Sequence, residues 1–246
     1  MGKKNKKKRK RKSKAITSAE RLLQASVTGG IVQPVRLYYQ VSDEQGLIDA
    51  LKKLKCIDHD LSGGRWVWLY DDEARKLDIE NGYSSIPKRA RPIVIGSFYR
   101  KATDAFVLDV RTIERAGQAI PFFDAHIPRS VARITHAAIV NRLFEAKEML
   151  SPNFDNFFRN PTEIDPEEAV QELTSGPALL LSVRERASRP LPDVEKFPVH
   201  VYEDGIEQFR TTLMMRQMIA MEHWRGNTDY SFDDLLKQTV QGLDFE

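Results

Sequence analysis

Cysteine is almost absent: Cys56 stands alone in 246 residues. One thiol excludes an internal disulfide, and a cysteine-built zinc site would lack its other ligands. Such a chain fits a reducing compartment, the cytoplasm or, in a eukaryote, the nucleus or nucleolus. Long apolar runs are missing too. The longest, near residues 178–181, falls far short of the roughly 20 residues of a membrane-spanning helix. The charged start is followed within a few residues by Ser18, Glu20 and Arg21 rather than by an apolar stretch, so no secretory signal is expected. Lys6 occupies the position where myristoylation wants Ser or Thr. No phosphate-binding loop ending in Gly-Lys-Ser or Gly-Lys-Thr occurs, nor a dinucleotide glycine fingerprint, nor Gly-x-Ser-x-Gly. No catalytic residue, metal site or cofactor is therefore assigned.

Acid is absent from the first nineteen residues, and cations take its place. Lys3, Lys4, Lys6, Lys7, Lys8, Arg9, Lys10, Arg11, Lys12 and Lys14 put ten positive charges into fourteen residues. The whole chain carries 38 bases and 35 acids, a net charge of +3. Without these ten, 28 bases face 35 acids, and the remainder is about −7. The basicity thus belongs to one arm. Like charges at that density repel one another, so residues 1–16 are expected to be a disordered polybasic arm.

Residues 17–246 hold enough apolar and aromatic side chains, including 12 Phe, 7 Tyr and 3 Trp, to bury a core. They are expected to form one domain, with Glu185 to Pro198 (three prolines) as a loop or sub-domain boundary. Residues 35–41 read as a strand. Ser42 and Gln45 read as a capping box before the stripe Leu47, Ile48, Leu51 and Leu54. Residues 65–70, 93–99 and 105–110 read as further strands, and the last two are joined too closely for a parallel crossover. An α+β fold with a mixed, largely antiparallel sheet packed with helices follows. Helices are expected over residues 111–119, 130–150, 165–175 and 204–224, the last capped by Asp204 and Glu207, and after Ser231. Strands are expected over residues 178–183 and 199–202.

Four groupings in the body invite a functional reading. Lys88, Arg89 and Arg91 precede one strand of the expected hairpin, and Arg100 and Lys101 follow it. They should form two basic patches, and Phe98 and Tyr99 beside Arg100 either supply stacking for single-stranded bases or, with the charges merely solvated, divide between core and surface. Arg129, Arg133 and His136 have helical spacing, and two guanidinium groups at a helix N-terminus would suit an anion. Asp58-His59-Asp60 resembles a metal triplet, but adjacent residues point different ways on any regular element. Met214, Met218 and Met221, beside Met215 and Trp224, form a stripe that either packs in the core or meets a partner.

The arm dominates the functional expectation. Dense cations displace the counterions condensed on nucleic acid, giving non-specific affinity of roughly 10⁻⁴ to 10⁻⁶ M. With no aromatic residue, the arm cannot stack on bases. The same charges would serve nuclear import or attract an anionic membrane surface. A non-catalytic, nucleic-acid-associated protein is expected, with RNA favoured over DNA because no recognition helix is evident. Two alternatives stand beside it: an enzyme whose site assembles from His126, Arg129, Arg133 and His136, and an interaction module built on the methionine helix. Deleting residues 1–14 should remove most nucleic-acid affinity. It should also flatten the dependence of log K on log salt, by about 0.7 to 0.9 for each phosphate that is no longer neutralised. Binding isotherms at two salt concentrations check this, and unchanged affinity would remove the arm's role.

Overall fold

A computed structural model describes residues 22–60, 64–148, 153–164, 188 and 190–243. The polybasic arm, the expected helix over 165–175, the expected strand over 178–183 and most of the residues between Glu185 and Pro190 lie outside the described residues.

The described chain is α+β. Its strands are β1 (Val35–Val41), β2 (Ile57–Asp60), β3 (Arg65–Leu69), β4 (Val94–Ala102), β5 (Ala105–Val110), β6 (Ala132–Val140), β7 (Thr162–Glu163) and β8 (Val194–Pro198). They form one sheet in the order β2-β3-β4-β5-β1-β6-β8-β7. Every pairing is antiparallel except β7 with β8. The helices are α1 (Glu44–Lys53), α2 (Ile113–Asp124), α3 (Ile206–Arg225) and α4 (Phe232–Leu243).

Strand alternation divides the sheet into two faces. Leu37 and Tyr39 of β1, Trp66 and Trp68 of β3, Phe98 of β4 and Leu108 of β5 share a core with Leu47 and Leu51 of α1 and Ile120 and Phe123 of α2. The centre of that core is aromatic: Phe123 lies edge-on to both Trp68 and Phe98, at 4.8 Å between ring centroids in each case. Gly96 sits directly across from Trp68 and Val110, and a Cβ there would meet Leu108 at 3.0 Å and Trp68 at 3.1 Å. The close approach of Leu108 and Trp68 therefore needs this strand position to be glycine. The described residues cover the opposite face of the sheet only in part. Residues 153–158 cross it, and Phe158 packs with Val32, Ala138, Val140 and Phe144.

The C-terminal helices belong to the same body. Arg216 of α3 is buried and donates to Glu195 of β8 at 2.6 Å, while Asn141 donates to the same carboxylate oxygen at 2.8 Å. Phe209 and Leu213 join the main core.

Four expectations need correction. Residues 130–150 do not form a helix: 132–140 are strand β6. Its second half, Ala137-Ala138-Ile139-Val140, is buried on both faces, and a continuous apolar run of that kind lacks the period that separates strand from helix. The cap of α1 is Asp43, which accepts from the Gly46 N–H at 2.9 Å, and Gln45 instead donates to Asp49. Asp43 reaches in because Gly46 has no side chain: a Cβ there would collide with the Asp43 carboxylate. Finally, α3 begins after Gly205, whose φ of 82° favours glycine, with no side-chain cap, and Glu207 pairs with Arg210. Its end is as expected, at left-handed Gly226. The residues expected as a strand over 199–202 fall instead in the turn after β8.

Gly96→Ala should destabilise the fold by about 1–3 kcal/mol through overpacking. Urea denaturation checks it, and a loss below about 0.5 kcal/mol would contradict the tight approach of Trp68, Leu108 and Val110.

Candidate functional site

The partly open face of the sheet carries the polar residues of a broad concavity. Arg36, Tyr38 and Gln40 alternate along β1. Facing them are Asp109 and Val107 of β5, Arg133 and His136 of β6, and Lys196 of β8. The register of β1 against β6 shifts between Tyr38 and Tyr39, so Thr135 is an extra residue. That bulge brings Arg133 and His136, three apart, onto one face, where a regular strand would separate them.

At the centre, Arg36 and Asp109 lie directly opposite each other. The guanidinium donates twice, Nε at 2.6 Å and Nη2 at 2.9 Å, and both residues are buried. A third interaction at 2.8 Å joins Arg36 to Asp155, whose other cation is Lys101 at 2.6 Å. The Arg36 guanidinium also lies 5.0 Å from the Phe158 ring centroid. Burial opposes the Arg36 charge, but Asp109 and Asp155 outweigh it and raise its pKa. Lys101, then Arg36, hold Asp155 below the usual carboxylate range against partial burial. This network ties residues 153–158 across the sheet.

On one side of the network lies a pocket of ≈ 680 Å³, lined by Tyr38, Gln40, Lys101, Thr135, His136 and Lys196 among others. A space of ≈ 350 Å³ continues beside Tyr99, Lys101 and Phe154. The two share Arg36, Lys101 and Asp155. Each holds a tyrosine with a lysine near its ring: Lys196 is 5.1 Å from the Tyr38 centroid, and Lys101 is 5.8 Å from that of Tyr99. Arg65 lies beside Tyr99 and donates to its hydroxyl at 3.4 Å. Burial, then Lys196, lowers the pKa of His136, which favours the neutral imidazole near pH 7.

The residues singled out in sequence are dispersed. Lys88 and Arg89 lie in a short 3₁₀ turn before β4, exposed. Arg91 is occupied: its guanidinium lies 3.9 Å from the Tyr83 ring centroid and donates to the carbonyls of Tyr83 and Ile86. Arg100 and Lys101 lie at the far end of β4, so the two basic patches are separate, and each of these two pairs with an acid, Glu44 and Asp155. Phe98 is buried in the core and Tyr99 is half-exposed.

The anion site expected from Arg129, Arg133 and His136 loses its premise, because no helix N-terminus exists there. Arg129 forms a two-point pair with Asp124 and lies 4.5 Å from the Tyr202 ring centroid. His126 bonds the Phe122 carbonyl at 2.7 Å. Of His126, Arg129, Arg133 and His136, only His136 lines the large pocket. Asp58-His59-Asp60 forms edge strand β2, with His59 stacked on Trp66 at 4.9 Å. No cluster of three metal-binding side chains occurs among the described residues. Cys56 is buried, and burial with neighbouring Glu73 pushes its thiol up to about 12, far from a thiolate. Among the described residues no helix is long and apolar enough to cross a membrane.

Sequence reasoning missed the Arg36–Asp109 centre. The only local signal was a charged residue within each of two otherwise apolar strands, and the pairing register was needed to bring them together. Comparison with known proteins finds no matching family model, curated protein or solved structure.

Asp109→Ala should cost about 3–5 kcal/mol, since it strands a buried guanidinium. Asp155→Ala, at a half-exposed carboxylate, should cost about 1 kcal/mol or less. Asp155 is more acidic in the folded chain. Its contribution is therefore complete above the unfolded pKa of about 3.9 and is lost as pH falls through the lower folded value. Denaturation of both variants across pH 3 to 7 checks the order and the sign.

Proposed function

We propose that the protein is a non-catalytic, nucleic-acid-associated protein, with RNA favoured over DNA, acting in the cytoplasm or in a nuclear compartment. The arm at residues 3–14 supplies electrostatic attraction, and the open sheet face supplies contacts to a single strand. The observation that carries the second part is the pair of tyrosine–lysine sets, Tyr38 with Lys196 and Tyr99 with Lys101, on the same exposed face. An aromatic ring offers a stacking surface to any base, and an adjacent ammonium suits the following phosphate. Arg65 and Arg133 on that face add positive charge, and stackable rings suit unpaired bases better than a duplex. The acidic balance of the body keeps non-specific attraction low outside the arm.

A second reading rests on the methionine helix. Met214 is 50% exposed and Met218 44%. An outward methionine pair is an adaptable surface for a protein partner, and the two readings are compatible.

Tyr38→Ala and Tyr99→Ala should each weaken binding of single-stranded RNA by about 1–3 kcal/mol. The salt slope, set by the arm, should be unchanged. Fluorescence anisotropy on the full chain separates the two effects. Equal affinity in the double variant would leave the arm as the sole binding element and end the sheet-face reading.

A further inference from the structure

Beyond the tyrosines, the same face ends in a small pocket of ≈ 70 Å³ between the start of β4, the end of β5 and the first turn of α2. Three arginines line it: Arg65 of β3, Arg111 just after β5, and Arg115 of α2. Arg115 is the unusual one. It is 2% exposed, and no carboxylate lies within ion-pair distance of it among the described residues. Its Nη2 donates to the Thr28 hydroxyl at 2.8 Å and its Nη1 to the Ile95 carbonyl at 3.5 Å, while its Nε has no hydrogen-bond partner. The adjacent acid, Glu114, accepts from the Glu80 N–H at 2.6 Å through one oxygen, while its other oxygen is buried without a hydrogen-bond partner and forms no ion pair with Arg115.

A buried guanidinium without a counter-charge is costly, and removing water from it is only partly offset by neutral acceptors. Arg111 adds to the imbalance. It is exposed and forms no ion pair among the described residues. Burial, then the charge of Arg111, pulls Arg115 down to about 10 against the opposing charge of Glu114. Asp109 also lines the pocket, but its charge is taken by Arg36. Arg65 is held by Asp60 at 3.1 Å and stands at the side. The buried Ser97 contributes a hydroxyl. The volume is far below the roughly 300 Å³ at which sites for drug-sized molecules begin. It fits a compact oxyanion and excludes a nucleoside.

We propose that this pocket binds a phosphate group, held by Arg111 and Arg115 with Ser97 as a neutral donor. Planar guanidinium groups match phosphate oxygens in geometry as well as charge. The proposal goes beyond the nucleic-acid reading, because it concerns free phosphate as much as the phosphate of a larger molecule and holds whether or not RNA binds.

The test is calorimetry and thermal denaturation of the full chain with inorganic phosphate, against sodium chloride at equal ionic strength. One-to-one saturable binding and a rise in Tm specific to phosphate are expected. Arg111→Gln, at an exposed position, should weaken phosphate by about tenfold or more, the loss of one charge-assisted hydrogen bond. Arg115→Met should abolish the phosphate-dependent rise in Tm and leave the phosphate-free Tm equal or higher. If Arg115→Met does not fold, Arg111→Gln decides alone. No response beyond that of chloride overturns the proposal. So does an Arg111→Gln chain with unchanged affinity, which would put the phosphate on the polybasic arm. Competition then identifies the source. Displacement by a 5′-phosphorylated oligonucleotide and not by its 5′-hydroxyl form supports the site as one for a strand end. Displacement by neither supports it as one for free phosphate or a small phosphoester.

Discussion

The pairing of Arg36 with Asp109 constrains more of this molecule than any other interaction. The two residues sit opposite each other on central strands, on the face away from the described helices α1 and α2. An ion pair at the middle of a sheet needs a cover, because exposed charge would pull water onto the strands and bare charge under an apolar layer would be costly. Residues 153–158 meet that need with both kinds of chemistry. Asp155 adds a second acid for Arg36, and Phe158 adds an aromatic ring beside it. The crossing segment then divides the face into separate hollows. Its position is fixed by electrostatics at one end and by the Val32, Val140 and Phe144 cluster at the other.

Charge in this protein is partitioned with unusual sharpness. The ten cations of residues 3–14 stand in sequence without one acid among them. In the body, by contrast, most arginines and lysines near the grooves already have carboxylate partners: Arg65 with Asp60, Arg100 with Glu44, Lys101 with Asp155, Lys196 with Glu163. A paired cation attracts a distant polyanion weakly, yet it can trade its partner at short range. Long-range capture and short-range fit therefore fall to different parts of the chain, the first sensitive to salt and the second much less so.

The first half of the body was legible because its strands announce themselves. Residues 35–41 and 65–69 are rich in β-branched and aromatic side chains, and the tight connection between β4 and β5 forces an antiparallel pair. Residues 130–150 imitate a helix for a physical reason. β6 lies between β1 and β8 and is packed on both faces over its second half, so alternation fades. The bulge at Thr135 then imposes a three-residue spacing on Arg133 and His136 that matches one face of a helix. A register irregularity of this kind leaves no mark in composition. The central ion pair was illegible for a related reason. Arg36 and Asp109 are 73 positions apart, and only the sheet brings them together. For the opening arm, sequence alone carries the reading.

The triplet Asp58-His59-Asp60 gains a different meaning from its place in the fold. It forms most of β2, which is the outermost of the described strands, beside β3. An outer strand presents unsatisfied backbone groups to any passing chain, and a long apolar one would recruit copies of itself. β2 is only four residues long, three of them ionisable, and His59 is folded back over Trp66. Another strand approaching that margin would have to desolvate two aspartates. What looks like a place to hold a metal is better understood as the means by which the sheet stops growing.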